Sequence, residues 1–345
     1  MERKAFKDLI AKIEEKRKSK MIALFLGDRG TLETKIHSEI LPYLFMMLKD
    51  KKDKVQPVDL FLYSTGGITT AGWGIANLLN EFAKYYSVLI PFKAYSTATL
   101  IAMGAKEICM TEVGQLSPID PSVNSPYNPI ASGFQSMPGL PPPGPIPLLP
   151  VPVEDCISYF NFARQGAGIK RGEDLTKVFQ MLVEKIHPLA LGGVYRANEQ
   201  IKMLSKKLLE KHVKDPAKVK QIINILTKEL YSHDYIISRR EAKDTLGLPV
   251  IYNDEIEGLV WQLFLLYSEQ SELMKPFIPE VESASLSGSG TDVKTYYRGF
   301  IESGEKCYSF TTERRLNEIT ITRPGIGPEK AIRMNNIFEG WREIK

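Results

Sequence analysis

Two turns in the sequence combine residue types that can carry out acyl transfer. Gly66-Gly67 follows the short apolar run 60–63, and Ser96 follows the apolar run 88–90 and precedes a stretch of small residues. A serine hydroxyl can attack a carbonyl carbon, and backbone N–H groups beside it can stabilise the oxyanion that forms. Serine is also a common first residue of helices, and paired glycines are common in ordinary turns. The spacing alone therefore leaves a catalytic and a purely structural interpretation open.

The elements around these turns must bring them together if they are to act as one site. Residues 59–121 predict a strand, a glycine turn, a helix, a strand, a serine turn, a helix and a strand. Strands that alternate with helices indicate βαβ units and a mostly parallel sheet, whose turns at the carboxyl ends of strands share one edge. Upstream, the pattern predicts a helix over 2–19, a strand over 21–26 and a helix over 33–48. The predicted fold class is α/β.

Three stretches resemble the serine dehydrogenase proteinase family of the Clp-protease/crotonase superfamily, which is more distantly similar to signal peptide peptidase A. They are STGG at 64–67, KAYSTATLIAMGAKEICM at 93–110 and LSPIDP at 116–121, and the similarity extends over roughly residues 20–252. The resemblance implies a Clp-protease/crotonase-like fold of repeated ββα units. It also implies that Ser96 is the nucleophile, that Gly66 and Gly67 flank an oxyanion hole, and that the N–H of Thr97 is its second donor. The family has a small-residue pair after its serine, and Thr97 is larger.

The general base is the part of the site that the sequence leaves open. Asp120 lies 24 positions after Ser96, about where the resemblance to Clp-type peptidases implies a histidine. An aspartate is a weak base toward a serine hydroxyl unless burial raises its pKa, so Asp120 could instead orient a base, bind a substrate amine or cap a turn. A lysine base would resemble that of signal peptide peptidase A. The other candidates for the base, with the first preferred, are His233, His187, Lys93 and Lys185.

Composition excludes several other functions. The chain has 345 residues, of which 25% are charged, and its net charge of +4 is too small to indicate nucleic-acid binding. It carries no nucleotide or zinc motif, so we expect neither a cofactor nor a metal. Three widely spaced cysteines favour a reducing compartment. No apolar run reaches the roughly 18 residues of a transmembrane segment, and the charged N-terminus lacks the apolar centre of a signal peptide, so we expect a cytoplasmic protein.

The pattern of the chain predicts five segments. They are a Clp/crotonase-like core with the nucleophile turn over 1–124, a proline-rich loop over 125–153, a helical insert over 154–230, the end of the core with a closing helix over 231–275, and a small α+β appendage over 276–345. The appendage is predicted to contain strands and a final helix around Trp341. We expect it to pack onto the core or to cover a subunit contact.

These features together predict a serine hydrolase, specifically a peptidase acting on a peptide or protein substrate. The resemblance and the apolar helix faces imply a homo-oligomer. The alternative is a catalytically inactive Clp-like scaffold or partner-binding oligomer, because Asp120 stands where a histidine is expected. A crotonase-type acyl-CoA enzyme would use the same oxyanion hole, but it would have no need of Ser96 and ranks last.

Overall fold

The computed structural model describes residues 3–49, 56–123, 125–131, 147–283, 291–323 and 327–344. The central part of the predicted proline-rich loop, residues 132–146, lies outside this part of the chain. The described residues fall into two compact units. The first unit comprises Met1–Leu116 and Ile236–Lys345, and the second comprises Ser117–Tyr235.

The strands of the described residues are β1 (Lys20–Leu26), β2 (Val58–Tyr63), β3 (Tyr86–Ile90), β4 (Lys93–Ala94), β5 (Ile108–Met110), β6 (Gln115–Leu116), β7 (Ser122–Val123), β8 (Val151–Pro152), β9 (Ile237–Ser238), β10 (Val250–Ile251), β11 (Thr291–Glu302), β12 (Cys307–Arg323) and β13 (Gly327–Ile344). The helices are α1 (Lys4–Arg17), α2 (Ile40–Leu48), α3 (Thr69–Phe82), α4 (Thr97–Met103), α5 (Val153–Asn161), α6 (Gly172–Val183), α7 (Pro188–Leu209), α8 (Pro216–Asn224), α9 (Arg239–Asp244), α10 (Asp254–Gln270) and α11 (Pro279–Ser283). Single π-helical turns follow α5 and α8, at Phe162–Gly166 and Ile225–Glu229.

The first unit is built on a sheet of eight strands in the order β10-β5-β3-β2-β1-β11-β12-β13. Neighbouring strands from β10 to β1 run parallel, whereas β11, β12 and β13 join antiparallel to β1 and to one another. Every residue of β2 is buried. A continuous apolar run of this kind suits a parallel strand that is covered on both faces. The α/β class predicted from the sequence is confirmed.

An aromatic cluster fills the core on one face of this sheet. Phe25 of β1 stacks on Tyr63 of β2 and on Tyr267 of α10, with ring centroids 4.9 and 5.3 Å apart. Phe300 of β11 lies 5.2 Å from Tyr267 by the same measure. Residues of α1 and α10 complete the cluster. β2, the strand that leads into the glycine turn, is therefore held by a close-packed apolar layer.

The second unit is mainly helical. It contains α5, α6, α7 and α8, together with the short antiparallel pair β7–β8. These helices leave an apolar hollow of about 260 Å³. Its lining is mostly hydrocarbon, and the side chains with polar atoms or a thiol are Cys156, Tyr195 and Asn198. Burial raises the pKa of the Cys156 thiol.

Two predicted helices differ from the structure. The helix expected over 33–48 begins only at Ile40, because Ile36 pairs with the glycine turn instead, in a parallel bridge to Gly67. The final helix expected around Trp341 is wrong, since Trp341 lies in β13 opposite Phe310 of β12. The backbone hydrogen bonds of the long β12–β13 ladder stabilise this segment as a strand, because its local preference for a helix is weak. The C-terminal strands are members of the main sheet.

Candidate active site

The glycine turn directly follows β2. Gly66 has a φ of +102°, which is in the region that glycine adopts without the cost of a Cβ. Ser64 closes the turn by accepting a hydrogen bond at its Oγ from the N–H of Gly66, at 3.0 Å. The motif STGG is therefore explained by local structure. The Ser64 hydroxyl accepts a hydrogen bond that closes the turn, and Gly66 adopts the positive φ that the turn requires.

Ser96 lies at a sharp turn between β4 and α4. Its backbone has φ of 51° and ψ of −111°, a conformation that non-glycine residues rarely adopt. Such a strained strand-to-helix turn presents a serine hydroxyl away from its own backbone, and strain of this kind clusters at active sites. Ser96 is half-buried, so the hydroxyl is partly accessible to solvent.

A parallel bridge brings the two turns together. The N–H of Ser64 donates to the carbonyl of Lys93 at 2.9 Å, and the N–H of Tyr95 donates to the carbonyl of Ser64 at 3.0 Å. A Cβ placed on Gly66 would lie 2.9 Å from the Cβ of Ser96 and 3.4 Å from its Oγ. The serine hydroxyl thus lies beside the glycine pair, and a larger residue at position 66 would displace it.

Two backbone N–H groups remain without a partner at this point of the described structure. The N–H of Gly67 donates to no described residue, and Thr97, as the first residue of α4, has no intrahelical acceptor. The N–H of Gly66 is occupied by Ser64. Among the three predicted oxyanion-hole residues, Gly67 and Thr97 therefore have backbone N–H groups available to a ligand. Gly66 instead allows the backbone to turn.

The second unit brings together two other predicted residues, His233 and Asp120. The Nδ1 of His233 lies 2.9 Å from Oδ1 of Asp120, although the residues are 113 positions apart. The Asp120 side chain is 9% exposed and that of His233 is 49% exposed. The hydrogen bond to Asp120 raises the pKa of His233, burial opposes this, and the charges of Asp120 and Asp234 add to the rise. This geometry fixes Nδ1 as the protonated nitrogen and leaves Nε2 as a proton acceptor.

The alternative bases are engaged in other ways. His187 caps α7, accepting at Nδ1 the N–H of Leu189 at 3.2 Å, and its ring stacks on Tyr127. The ammonium of Lys93 pairs with Asp28 at 2.7 Å, and Tyr63 donates to the same carboxylate. Lys185 is exposed to solvent and so lacks the burial that a lysine base needs. The Lys93–Asp28 pair could not be predicted from the sequence, because Asp28 lies in the turn after β1 and Lys93 lies in β4, 65 positions later.

The site has further supports that the sequence did not reveal. Ile36 pairs with Gly67, and Gly72 of α3 lies against the side chain of Thr97. Ser64 could have been found from its position two residues before the glycine pair, a common turn-closing pattern.

Within the described ranges, no group of three or more His, Cys, Asp or Glu side chains is arranged to hold a metal ion. Within the same ranges, no helix has the length and apolar character needed to cross a membrane.

Comparison with known proteins bears on this geometry. Residues 1–137 match the family model described as ClpP-like SDH-type serine proteinase, which confirms the resemblance inferred from the sequence. The mixed α/β architecture fits the Clp-protease-like fold that the resemblance implied. The matched range contains both turns and Asp120, whereas His233 lies beyond it.

Two archaeal proteins are similar over most of the chain. Uncharacterized protein MJ0137 of Methanocaldococcus jannaschii is 27% identical over 256 residues, which cover 70% of this chain and 74% of that protein. Uncharacterized protein MJ1495 of the same organism is 24% identical over 269 residues, which cover 75% of each chain. Neither name states an activity. The family match indicates a serine peptidase in general terms.

Proposed function

Because residues 1–137 match a family of ClpP-like serine proteinases, we propose that this protein is a serine peptidase with Ser96 as its nucleophile. The observation that carries the proposal is the meeting of the two turns. Ser96 has a strained backbone and its side chain lies beside Gly66, while the adjoining Gly67 and Thr97 have N–H groups without a partner among the described residues. An ordinary helix start would also leave the N–H of Thr97 unpaired, but it would need neither the strain at Ser96 nor the unpaired N–H of Gly67.

The proposed reaction has two halves. The Oγ of Ser96 attacks the carbonyl carbon of the scissile bond while a base takes its proton, and the N–H groups of Gly67 and Thr97 hold the oxyanion. The protonated base then gives its proton to the leaving amine, which leaves an acyl group on Ser96. A water molecule, deprotonated by the same base, attacks that ester and releases the acid product.

We assign the role of base to His233, with Asp120 as its orienting carboxylate. The short contact between Nδ1 and Oδ1 supports this assignment, because it fixes the tautomer that exposes Nε2 and stabilises the imidazolium formed during proton transfer. Asp120 itself is thereby an orienting residue rather than the base. The substrate we propose is a peptide or protein, and assembly into a homo-oligomer remains part of the proposal.

Labelling by a fluorophosphonate probe tests the nucleophile. We expect the purified protein to gain one phosphonyl group, and peptide mapping to locate it on Ser96. The Ser96→Ala variant is expected to remain unlabelled, while Ser38→Ala, which removes an exposed serine hydroxyl elsewhere in the first unit, is labelled like the wild type. A folded wild-type protein that takes up no probe would overturn the proposal and favour a Clp-like scaffold without catalytic activity.

A further inference from the structure

The N–H of Gly67 is useful for catalysis only if its direction is fixed. Glycine has the widest conformational freedom of all residues, so a glycine turn does not hold an N–H in one direction by itself. Donors that stabilise an oxyanion must be in place before the reaction, since reorienting them during it costs free energy. Something outside the glycine pair must therefore hold the two peptide groups on either side of Gly67.

Ile36 holds the peptide group that precedes Gly67. The N–H of Ile36 donates to the carbonyl of Gly66 at 2.8 Å. In a planar trans peptide the carbonyl and the N–H point in opposite directions, so the N–H of Gly67 points away from Ile36. The N–H of Ile68 also donates to the carbonyl of Ile36 at 2.8 Å. The segment around Ile36 is irregular rather than helical for this reason.

Thr97 holds the peptide group that follows Gly67. Its Oγ1 donates to the carbonyl of Gly67 at 2.7 Å, and Thr97 is only 3% exposed. The hydrogen bond is part-buried, since Gly67 itself is exposed, and its loss would leave the Gly67 carbonyl without the threonine donor. The peptide group that follows Gly67 is thus held at its carbonyl by Thr97 and at its N–H by Ile36, whereas the peptide group that precedes Gly67 is held by Ile36.

Gly72 provides the space that a threonine needs at this position. A Cβ on Gly72 would lie 2.3 Å from the Cγ2 of Thr97, so only glycine leaves room for that methyl group. A β-branched side chain has few allowed rotamers, and packing of its methyl group against α3 restricts Thr97 further. The hydroxyl is therefore directed at Gly67, and the larger size of Thr97 has a structural use.

We propose that the side chain of Thr97 is a positioning residue that aligns the Gly67 N–H with the N–H of Thr97 itself. This inference rests on the proposed function, in which both N–H groups bind the oxyanion. Thr97 then provides one oxyanion donor with its own N–H group, and its side chain fixes the direction of the other donor, the N–H of Gly67. The hydroxyl makes no contact with the substrate and acts through the orientation of the Gly67 peptide groups.

The test compares Thr97→Val, which loses the hydroxyl but keeps the branched shape, with Thr97→Ser, which keeps the hydroxyl. The readouts are the second-order rate of fluorophosphonate labelling at Ser96 and the affinity for a peptide boronic acid, whose tetrahedral adduct carries an oxygen in the oxyanion position. We expect Thr97→Val to lower both by about tenfold to a hundredfold, somewhat less than the loss of a whole donor. Thr97→Ser is expected to stay within about threefold of wild type. For a cleavable peptide, kcat should fall while KM stays unchanged.

Thr111→Val is the matched control. Its hydroxyl donates to the carbonyl of Pro91 at 2.6 Å in the same unit, and Thr111 is 6% exposed, so the same substitution removes a more deeply buried threonine–carbonyl hydrogen bond away from the turns. We expect its labelling rate to equal that of the wild type. If Thr97→Val does not fold, Thr97→Ala and Thr97→Ser provide a second pair that differs by one oxygen atom.

The outcomes separate this inference from the proposed function. Labelling of wild type at Ser96, with equal rates in Thr97→Val and wild type, would overturn the role of Thr97 and leave the nucleophile in place. Equal losses in Thr97→Val and Thr111→Val would also overturn it, because the loss would then be one of general stability. A folded wild type without labelling would remove the proposed function and this inference together.

Discussion

The backbone of Ser96 is the most informative feature at the scale of single residues. A non-glycine residue at φ of 51° and ψ of −111° costs about 1–3 kcal/mol of conformational free energy, and the surrounding contacts must supply it. The bridge between Ser64 and Ala94 and the packing of Gly66 against Ser96 do so. The cost is explained if the turn serves to present the hydroxyl, as the proposed peptidase requires.

The His233–Asp120 pair gives a prediction on pH dependence. A base must be unprotonated to accept a proton, and the hydrogen bond to Asp120 raises the pKa of His233 above 6.5. The rate of labelling at Ser96 should therefore increase with pH through that raised pKa. In Asp120→Asn the increase is expected at lower pH, because the charge that favours the imidazolium is gone. The rate at high pH should fall by roughly 10²- to 10⁴-fold, since the ring loses its orientation and its charge partner.

Asp234→Asn is the control for this pH profile. Its carboxylate also raises the pKa of His233, but only through its charge. The profile of this variant should move slightly in the same direction, with the rate at high pH unchanged. The assignment of His233 as the base is wrong if the profile of Asp120→Asn coincides with that of the wild type. The same raised pKa makes the stability of the fold depend on pH. The His233–Asp120 pair stabilises the folded state fully below pH 6.5, and this stabilisation is lost as the pH rises through the raised pKa of His233.

The sequence was informative about the residues of the turns and less so about their supports. Ser96, Thr97 and the glycine pair lie within one local pattern, so residue type and spacing single out the two turns, while their roles in the site are implied by the resemblance and stay a prediction. His233 could be preferred as a base, but its contact with Asp120 spans 113 positions and depends on how the helical segment folds back. The roles of Ile36 and Gly72 depend on close approach between backbones, which leaves no periodic signal.

At the scale of elements, α1 is attached to the sheet by a buried ion pair. Arg3 precedes α1, and its Nε donates to Oε1 of Glu302 on β11 at 3.1 Å. The hydroxyl of Tyr267 on α10 donates to the other carboxylate oxygen at 2.6 Å. The side chains of Arg3 and Glu302 are 4% and 0% exposed. Burial raises the pKa of Glu302, and the nearby Arg3 charge acts in the opposite direction.

Removal of the charge on Glu302 should destabilise the protein strongly. Glu302→Gln leaves the guanidinium of Arg3 buried without a counter-charge, and we expect the free energy of unfolding in urea to fall by about 3–5 kcal/mol. The double variant Arg3→Met/Glu302→Gln should recover part of that loss, which a double-mutant cycle measures. As a control, Asp174→Asn breaks an exposed pair with Lys177 and is expected to cost at most about 1 kcal/mol. Similar small losses for both variants would contradict this role of the pair.

Element boundaries were predicted well where the apolar periodicity is strong and poorly where tertiary contacts decide. The helix predicted after the glycine turn corresponds to α3, and the strand predicted over 21–26 corresponds to β1. The helix over 33–48 has helical spacing throughout, yet its first part is held in an irregular conformation by Ile36 and the glycine turn. The departure from the local pattern occurs next to the candidate site, where backbone contacts have a function.

At the scale of the whole molecule, the C-terminal strands extend the sheet that contains β2, the strand before the glycine turn. β11 pairs with β1 over four residues, and β12 and β13 continue from it. The sequence pattern of this segment shows strands, but it cannot show which strand they join, because an antiparallel partner 273 to 279 positions away leaves no local signal. The predicted division into five segments remains a prediction, since its boundaries rest on composition alone.

Membership of one sheet predicts that the C-terminal segment contributes to the stability of the core. Phe300 of β11 is fully buried in the aromatic cluster, with its ring 6.1 Å from that of Phe25 on β1. Phe300→Ala removes these contacts and leaves a cavity, so we expect the free energy of unfolding to fall by about 3–5 kcal/mol. Far- and near-ultraviolet circular dichroism in urea should report the same shifted transition, because strands on either side of β1–β11 unfold together.

Val293→Ala on β11 is the control for Phe300→Ala. It tests whether a loss of stability comes from removing a buried side chain or from placing alanine in a strand. Val293 is 47% exposed, and the substitution should change the free energy of unfolding by less than about 1 kcal/mol. If the C-terminal strands unfolded as an independent appendage, Phe300→Ala would split the transition or leave the main one unchanged. We expect one unfolding transition, shifted to lower urea in Phe300→Ala and unchanged in Val293→Ala. The stability of the candidate site would then depend on residues about two hundred positions after it in the chain.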